Sequence, residues 1–155
     1  MEKFDISIVG GGIVGLATAM YALEKYPDKK IGVFEKEDVL AKHQTGNNSG
    51  VIHAGIYYQP SSQKAKFCWP GSLLLREFCD RNEINYEMCG KLIVATDESE
   101  IDRLNNLYER GKQNGVTGLQ LVDTEKINEI EPYVDAIKGL WSPNTGIIDY
   151  KDLTV

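Results

Sequence analysis

The stretch that decides the fold is Phe4–Val9, FDISIV, followed without interruption by Gly10–Gly15, GGGIVG. A short apolar run that ends in glycines predicts a buried strand followed by a tight turn. The next residues, Ile13–Lys25, carry apolar side chains at helical spacing. A second apolar run, Ile31–Phe34, predicts another strand and ends at Glu35. This order predicts a β-α-β unit with two parallel strands.

The glycines at 10, 12 and 15 form a G-x-G-x-x-G pattern between the first strand and the helix. Gly10 permits the tight turn, Gly12 lets the backbone approach a pyrophosphate, and Gly15 lets the helix pack closely on the sheet. The N–H groups and the dipole at the start of the helix favour an anion. Glu35 follows Gly15 by about twenty residues, where a carboxylate accepts hydrogen bonds from ribose hydroxyls and repels a 2′-phosphate. The pattern therefore predicts a binding site for the ADP moiety of FAD or NAD rather than of NADP. The alternative interpretation is a glycine-rich turn in an unrelated α/β protein.

The composition narrows the classes of function. The chain is 42% hydrophobic and 26% charged, as is usual for a globular protein. Its net charge of −6 argues against a nucleic-acid-binding protein, which usually has a basic surface. The cysteines Cys68, Cys79 and Cys89 lack C-x-x-C spacing, so we expect reduced, mostly buried thiols and no metal site. No apolar stretch is long enough to cross a membrane, and we expect no targeting peptide ahead of the first strand.

After residue 60 the sequence predicts first a long helix and then a segment in which strands and helices alternate. A helix is expected from Ser62 to Asn82, with an apolar stripe, and Trp69-Pro70-Gly71 should kink or break it. The stripe consists of Phe67, Leu74, Leu75 and Phe78. Further on we predict strands at 91–95, 119–122, 139–142 and 146–149, the last two joined at Pro143-Asn144. We also predict a helix over about 98–114, capped by Thr96 or Asp97, and a short helix capped by Asp123 or Thr124. The charges from Asp97 to Arg110 are typical of a solvated helix face.

These elements predict an α/β fold. A Rossmann-like β-α-β unit is followed by the start of an α+β substrate domain. We expect residues 1–82 to form the nucleotide-binding segment, 83–149 to begin the substrate-binding domain, and 150–155 to return toward the first segment. One crossover unit cannot bury both faces of a parallel sheet, which needs several strands with helices on each side. The fold is therefore expected to be incomplete, and this piece is expected to be inactive by itself.

The segment His43–Tyr58 resembles the flavin-contacting loop of the D-amino-acid-oxidase-like FAD oxidoreductases. More narrowly, HQTG at 43–46 and NSGVIHAGIYY at 48–58 are similar to the signature of the branch formed by L-2-hydroxyglutarate dehydrogenases and oxidases. The similarity continues through 64–65, Cys68, 89–95 and 146–150, and so covers essentially the whole chain. Asn47 is a departure, because members of the branch carry His there, and it removes one candidate base. Trp69-Pro70-Gly71 is a second departure.

The resemblance implies FAD as the cofactor and oxidation of L-2-hydroxyglutarate to 2-oxoglutarate by hydride transfer to the flavin. It implies a quinone or oxygen as the electron acceptor and is compatible with a peripheral membrane contact made by a C-terminal part not included here. A eukaryotic member is expected in the mitochondrion, and a bacterial one in the cytoplasm or at the membrane periphery. The alternatives are a related amino-acid or glycerol-3-phosphate oxidoreductase of the same fold, and a non-catalytic nucleotide-binding fragment.

Oxidation of a secondary alcohol requires a base, and histidine suits this role near neutral pH. The chain has two histidines. His53 lies among small residues that allow close approach to a ring system, so it is the candidate catalytic base, or else a histidine that orients the loop. His43 is a candidate flavin or pyrophosphate contact, or an ordinary loop residue.

Each candidate cofactor-binding residue lies in one of three places: the glycine turn, the end of the second strand, or the loop that resembles a flavin contact. They are Gly10, Gly12, Ile13, Val14, Gly15, Glu35, Lys36, His43, Thr45, Gly46, Asn48, Ser49, Gly50 and Val51. For the polar loop residues the alternative is a solvated turn. Tyr57 and Tyr58 are expected either to close the substrate site or to lie in a strand core. Lys64 is expected to pair with a substrate carboxylate or to be solvated.

Overall fold

The computed structural model describes residues 2–154 and begins with the predicted β-α-β unit. Strand β1 (Ile6–Val9), helix α1 (Ile13–Lys25) and strand β2 (Ile31–Phe34) follow one another, and the two strands pair in parallel. The helix and the second strand have the predicted bounds, whereas β1 begins after the predicted Phe4. The Phe4 ring instead packs edge-on against Phe34, with the ring centroids 5.4 Å apart.

The remaining elements form two antiparallel three-stranded sheets, with strand orders β3-β8-β4 and β5-β7-β6. The elements, in chain order, are a 3₁₀ turn (Gln44–Gly46), β3 (Val51–Ile52), α2 (Gln63–Arg81), β4 (Tyr86–Glu87), β5 (Lys91–Ala95), a 3₁₀ turn (Glu98–Glu100), α3 (Ile101–Gln113), β6 (Gln120–Val122), α4 (Thr124–Ile130), β7 (Lys138–Ser142) and β8 (Gly146–Ile148). The turn at Pro143-Asn144 joins β7 and β8 as predicted. The two strands nevertheless belong to different sheets.

Helix α2 corrects one prediction. Its N-cap is Ser62, whose hydroxyl accepts a hydrogen bond from the Ala65 N–H, and it continues through Pro70 without a break. The predicted break is wrong because a proline removes a single helical N–H, and here the turns on either side persist. Phe67 and Leu74 of the predicted apolar stripe are 71% and 60% exposed. These two residues therefore lie at the surface, whereas the other two residues of the stripe are half-buried.

The caps of the two later helices follow the sequence prediction. The side chain of Asp97 accepts a hydrogen bond from the Ser99 N–H and begins the 3₁₀ turn that precedes α3. The side chain of Asp123 accepts from the Lys126 N–H at the start of α4. In each pair of candidates the structure selects the aspartate, which is a favourable N-cap residue.

The described chain divides into two compact units. The first contains the residues up to Gly50 together with those from Asp149 onward, and the second contains Val51–Ile148. The division differs from the predicted boundary between residues 82 and 83, because α2 groups with the second unit. The reason is packing: Trp69 of α2 contacts the buried cluster that also contains Ile56.

The second unit has buried apolar residues on both sides of strand β5. Ile93 and Ala95 belong with one cluster, and Leu92 and Val94 pack against another. Alternate residues of a strand face opposite sides, so the two clusters lie on the two faces of the same sheet. The first cluster contains Ala54, Ile56, Ala95, Leu104, Val116 and Leu140, and the second contains Val122, Ile127 and Ala136.

The cysteines are free thiols, but they are not mostly buried as predicted. Cys79 is buried, Cys68 is half-buried and Cys89 is exposed. Cys89 lies in the connection between β4 and β5 rather than within an element, which explains its exposure. Among residues 2–154 there is no cluster of three or more His, Cys, Asp or Glu side chains able to hold a metal ion. No helix in the same range has the length and apolar character needed to cross a membrane.

Candidate functional site

The glycine turn joins β1 directly to α1. Gly10 has a positive φ of 110°, and its N–H donates to the Phe34 carbonyl at 2.8 Å, which ties the turn to β2. A Cβ on Gly15 would overlap the carbonyl oxygen of Gly10. The helix can therefore begin directly against the turn only because residue 15 has no side chain.

The N-terminus of α1 is open to an anion. Its N-cap is Gly12, which has no side chain to cap the helix, and the Ile13 N–H donates to Thr45 Oγ1 at 3.0 Å. A Cβ on Gly12 would lie 3.0 Å from the same oxygen. The first turn of a helix has several N–H groups without helical partners. Those that Thr45 does not use, together with the helix dipole, can bind a phosphate.

Glu35 accepts hydrogen bonds from three backbone N–H groups. Its Oε2 accepts from Gly11 at 2.6 Å, and its Oε1 accepts from Lys36 at 2.8 Å and from Glu37 at 3.1 Å. These bonds, that from Gly11 above all, hold the pKa of Glu35 below its usual range. The carboxylate is therefore ionised at neutral pH and linked to the glycine turn. The sequence predicted its place at the end of β2 but not its bond to Gly11.

The loop after β2 is held by its own amide side chains. Asn47 Nδ2 donates to the carbonyl of His43 at 2.7 Å. Asn48 Nδ2 donates to the Thr45 carbonyl at 2.7 Å, and Asn48 Oδ1 accepts from the Gly50 N–H at 2.6 Å. The asparagine at 47, where the resemblance leads one to expect His, thus has a structural role in keeping the loop folded.

Three other candidate cofactor residues of this loop, His43, Gly46 and Ser49, differ in their surroundings. The His43 ring lies 3.0 Å from a carboxylate oxygen of Glu37 and is exposed. Gly46 lies where a Cβ would overlap the Ala41 carbonyl oxygen. Ser49 is exposed. Their predicted contacts with the cofactor remain predictions.

Three further candidate cofactor residues lie outside this loop. Val14 is 78% exposed in the first turn of α1. The Lys36 ammonium lies 3.7 Å from Glu37 Oε1 at the surface. Val51 lies in β3 opposite Ile147 and belongs to the second unit rather than the first.

His53 lies in the second unit, between two buried residues. Ile52 and Ala54 are 1% and 3% exposed, so the backbone is anchored, while His53 itself reaches the surface with its ring partly covered. Cys68 Sγ donates to the His53 carbonyl at 3.3 Å. Partial burial, and secondly the charge of Lys91, lower the pKa of His53 below its ordinary value of 6.5. The ring is therefore neutral at neutral pH and can accept a proton.

The loop that follows His53 is fastened by helix α3. Asn114 Nδ2 donates to the carbonyls of Gly55 and Tyr58, both at 2.9 Å, and Arg110 donates to the Tyr57 carbonyl at 3.1 Å. Arg110, at the end of the predicted solvated face, thus also binds the backbone of this loop. No local sequence pattern indicated these contacts, because the partners lie 53 to 59 positions apart.

The two tyrosines of this loop are not core residues of a strand. Tyr57 is 44% exposed and lies in a turn, and Tyr58 is half-buried and lies in the bend that follows. The strand-core alternative is therefore wrong for both. The ammonium of Lys64 lies 5.9 Å from the ring centroid of Tyr58, and that of Lys91 lies 4.8 Å from the centroid of Tyr57. Placement of Tyr57, Tyr58 and Lys64 in a substrate site remains a prediction.

A glycine turn at an open helix N-terminus, with an ionised carboxylate at the end of the second strand, has the arrangement that binds the ADP part of a dinucleotide. The chain matches the model of the family described as FAD dependent oxidoreductase (DAO) over residues 5–155, and it belongs to this family. The mixed α/β fold predicted from the sequence is therefore confirmed, and membership of the family implies FAD.

The chain is similar to longer proteins named L-2-hydroxyglutarate dehydrogenase. It is 55% identical over 154 residues to the mitochondrial L-2-hydroxyglutarate dehydrogenase of Homo sapiens, a match that covers 99% of this chain and 33% of the relative. The protein of the same name from Dictyostelium discoideum is 50% identical over 153 residues, covering 97% of this chain and 34% of the relative. The chain thus spans about a third of the length of these relatives, as expected for an incomplete fold.

Solved structures show the same fold. The L-alpha-glycerophosphate oxidase of Mycoplasma pneumoniae, solved with FAD bound, superposes with a TM-score of 0.85 and 32% identity, covering 99% of this chain and 41% of that one. Glycine oxidase from Geobacillus kaustophilus gives a TM-score of 0.77 with 23% identity, covering 99% and 43%. The second similarity concerns the fold alone.

Proposed function

We propose that the whole protein is an FAD-dependent enzyme that oxidises L-2-hydroxyglutarate to 2-oxoglutarate. The observation that carries the proposal is the 55% identity to the human L-2-hydroxyglutarate dehydrogenase over 99% of this chain. The matched region includes both the glycine turn and the loop at His53. Because the chain spans only a third of that relative, the activity is proposed for the full-length protein and not for residues 1–155 alone.

The residues present fit an FAD. Gly12 leaves the start of α1 without a side chain, so a pyrophosphate can approach the N–H groups there. The ionised Glu35 would accept hydrogen bonds from the ribose hydroxyls. We propose that Gly10, Ile13, Val14, Gly15 and Lys36, together with the loop residues His43, Thr45, Gly46, Asn48, Ser49, Gly50 and Val51, complete the contacts of this chain with the cofactor.

When bound, FAD supplies the acceptor for the hydride that leaves C2 of the hydroxyacid. The chain must supply a base for the hydroxyl proton, and we propose His53. Its lowered pKa keeps the ring unprotonated at neutral pH, as a general base requires. Loss of the hydroxyl proton and of the C2 hydride converts the alcohol carbon to the ketone carbon of 2-oxoglutarate. Tyr57, Tyr58 and Lys64 would line the side of the substrate nearest this base.

We also propose a mitochondrial location and a quinone or oxygen as electron acceptor. The location is supported by the names of the human and Dictyostelium relatives, both of which are mitochondrial. Those names also describe dehydrogenases, which favours an acceptor such as a quinone over oxygen. A peripheral membrane contact in the remainder of the protein would bring the enzyme to such an acceptor.

The decisive test is anaerobic mixing of flavin-loaded, full-length protein with L-2-hydroxyglutarate. We expect the visible absorbance of the oxidised flavin to bleach with this acid and to persist with its D-enantiomer. Glycerol 3-phosphate is the comparison substrate, since the 32% identical glycerophosphate oxidase favours it as the second candidate. Bleaching by glycerol 3-phosphate alone would transfer the assignment to that reaction, and protein that binds no flavin would contradict the proposal altogether.

A further inference from the structure

Lys91 lies on the side of a sheet where the His53 loop packs. It begins strand β5 and pairs with Ser142 of β7. Alternation along a strand places residues 91, 93 and 95 on one face. Ile93 and Ala95 belong with the buried cluster that contains Ala54 and Ile56. The strand therefore directs Lys91 toward the loop that carries His53 and Tyr57.

The backbone next to Lys91 is held in place from both sides. Gly90 has a positive φ of 77°, and a Cβ there would overlap the indole ring of Trp141. The Gly90 N–H donates to the Thr145 carbonyl at 2.8 Å. A residue fixed in this way on a strand positions its side chain more accurately than a residue on a surface loop.

The charge of Lys91 has no acidic partner in the described part of the chain. Its ammonium lies 4.8 Å from the centroid of the Tyr57 ring, and the residue is half-buried. A comparable lysine, Lys112, lies 5.0 Å from the Tyr108 ring but is also paired with Glu109 at 3.3 Å. A half-buried lysine buries its aliphatic stem and keeps its ammonium accessible, and an acidic group is the usual partner of that charge. An anion supplied by a ligand would provide that partner.

The position of this charge also matches the proposed chemistry. It is near enough to His53 to be a cause of the lowered pKa of the imidazole. A substrate whose alcohol carbon is at His53 would therefore have a cation close by. L-2-hydroxyglutarate has a carboxylate at each end, and a dicarboxylate needs cations at both.

We propose that Lys91 is a specificity-determining residue whose ammonium binds the distal carboxylate of the hydroxyacid, with the Tyr57 ring holding the lysine side chain in position. This inference rests on the proposed function. The inference goes beyond the proposed function because it assigns the selection of a dicarboxylate over a monocarboxylate to the side chain of Lys91.

The test compares substrates that differ only in the distal carboxylate. Flavin-loaded, full-length wild-type protein and its Lys91→Gln, Lys91→Arg and Lys112→Gln variants are assayed with L-2-hydroxyglutarate and with L-2-hydroxypentanoate. Equilibrium binding of the matching products, 2-oxoglutarate and 2-oxopentanoate, is measured by titration calorimetry. Lys112→Gln is the matched control, because it also removes an ammonium that lies over a tyrosine ring.

We expect Lys91→Gln to lower kcat/KM for L-2-hydroxyglutarate roughly 10- to 100-fold, mainly through KM, as for loss of a charged hydrogen bond. The monocarboxylate should change by less than about twofold by the same reasoning. Binding of 2-oxoglutarate should weaken in parallel, Lys91→Arg should restore part of both, and Lys112→Gln should change neither.

Two results would overturn the inference alone while leaving the proposed function intact. One is an equal loss with both substrates, which would mean that Lys91 only supports the fold. The other is unchanged selectivity in Lys91→Gln. If wild-type flavin is not reduced by L-2-hydroxyglutarate at all, the proposed function fails and this inference fails with it.

Discussion

The glycine turn at 10–15 and the loop at 53–58 each hold candidate functional residues, but they are held in different ways. The turn is made mainly of backbone, and its contacts come from the nearby β2 and the loop that follows it, through Glu35 and Thr45. The second loop depends on side chains from two other elements. Cys68 comes from α2, and Asn114 lies at the end of α3 beside Arg110.

This difference predicts which substitutions affect which function. In the turn, shape matters most at Gly15, because a Cβ there would meet the backbone of Gly10, which cannot move away. In the second loop, removal of a distant hydrogen-bond donor should matter most. Cofactor binding and substrate oxidation should therefore be separable by mutation.

The largest expected effect is that of Gly15→Ala. The added methyl group would overlap the Gly10 carbonyl oxygen, so we expect flavin to be lost and the free energy of unfolding to fall by about 1–3 kcal/mol. Flavin content per chain and denaturant unfolding of the full-length protein measure both effects.

The control for this variant is Gly71→Ala. Gly71 lies inside α2, where a Cβ has nothing within 4 Å. Alanine there should keep the flavin and raise stability by roughly 0.5–1 kcal/mol. Full flavin occupancy in Gly15→Ala would contradict the account of the turn.

His53→Ala should instead separate chemistry from cofactor binding. Removal of a general base lowers the rate of flavin reduction by roughly 10²–10⁴-fold, and we expect flavin content to remain that of the wild type. Anaerobic stopped-flow reduction by L-2-hydroxyglutarate is the measurement. A rate near that of the wild type would show that another group removes the proton.

Asn114→Ala tests whether the second loop depends on its distant donor. The carbonyls of Gly55 and Tyr58 would both lose their bond to the amide, and the loop would lose alignment. We expect kcat/KM to fall roughly tenfold, with flavin content unchanged. Asn106→Ala is the matched control, because Asn106 is an exposed asparagine of α3, the helix that Asn114 caps. Equal activity of the two variants would mean that the loop is rigid without α3.

The smallest expected effect is a shift in the pH profile. Burial and the Lys91 charge disfavour the protonated imidazole of His53, so kcat/KM should stay constant around neutral pH and decrease with falling pH only below 6.5. Lys91→Gln removes one of these two causes and should move the decrease upward, toward 6.5. Lys112→Gln should leave the profile unchanged. A decrease centred above 6.5 in the wild type would contradict the environment described for His53.

Elements governed by local patterns could be predicted from the sequence. The bounds of α1 and β2 follow from apolar spacing and from the glycines, and the aspartate caps of the later helices follow from capping preferences. The helix break predicted at Pro70 is wrong, because the helical turns on both sides of the proline outweigh its low helix propensity. The adjacent strands β7 and β8 also look like one hairpin in the sequence, yet they pair with different neighbours.

The sequence by itself determined the nucleotide-binding unit, because the glycines, the helix start and Glu35 act through backbone geometry that local spacing already specifies. It also indicated the family, through the signature between His43 and Tyr58. Only the tertiary structure decided which side chains hold and flank the loop at 53–58. Lys91, Arg110 and Asn114 reach this loop from other elements. Such contacts depend on how a sheet and a helix pack, and packing between distant segments leaves no period in the sequence.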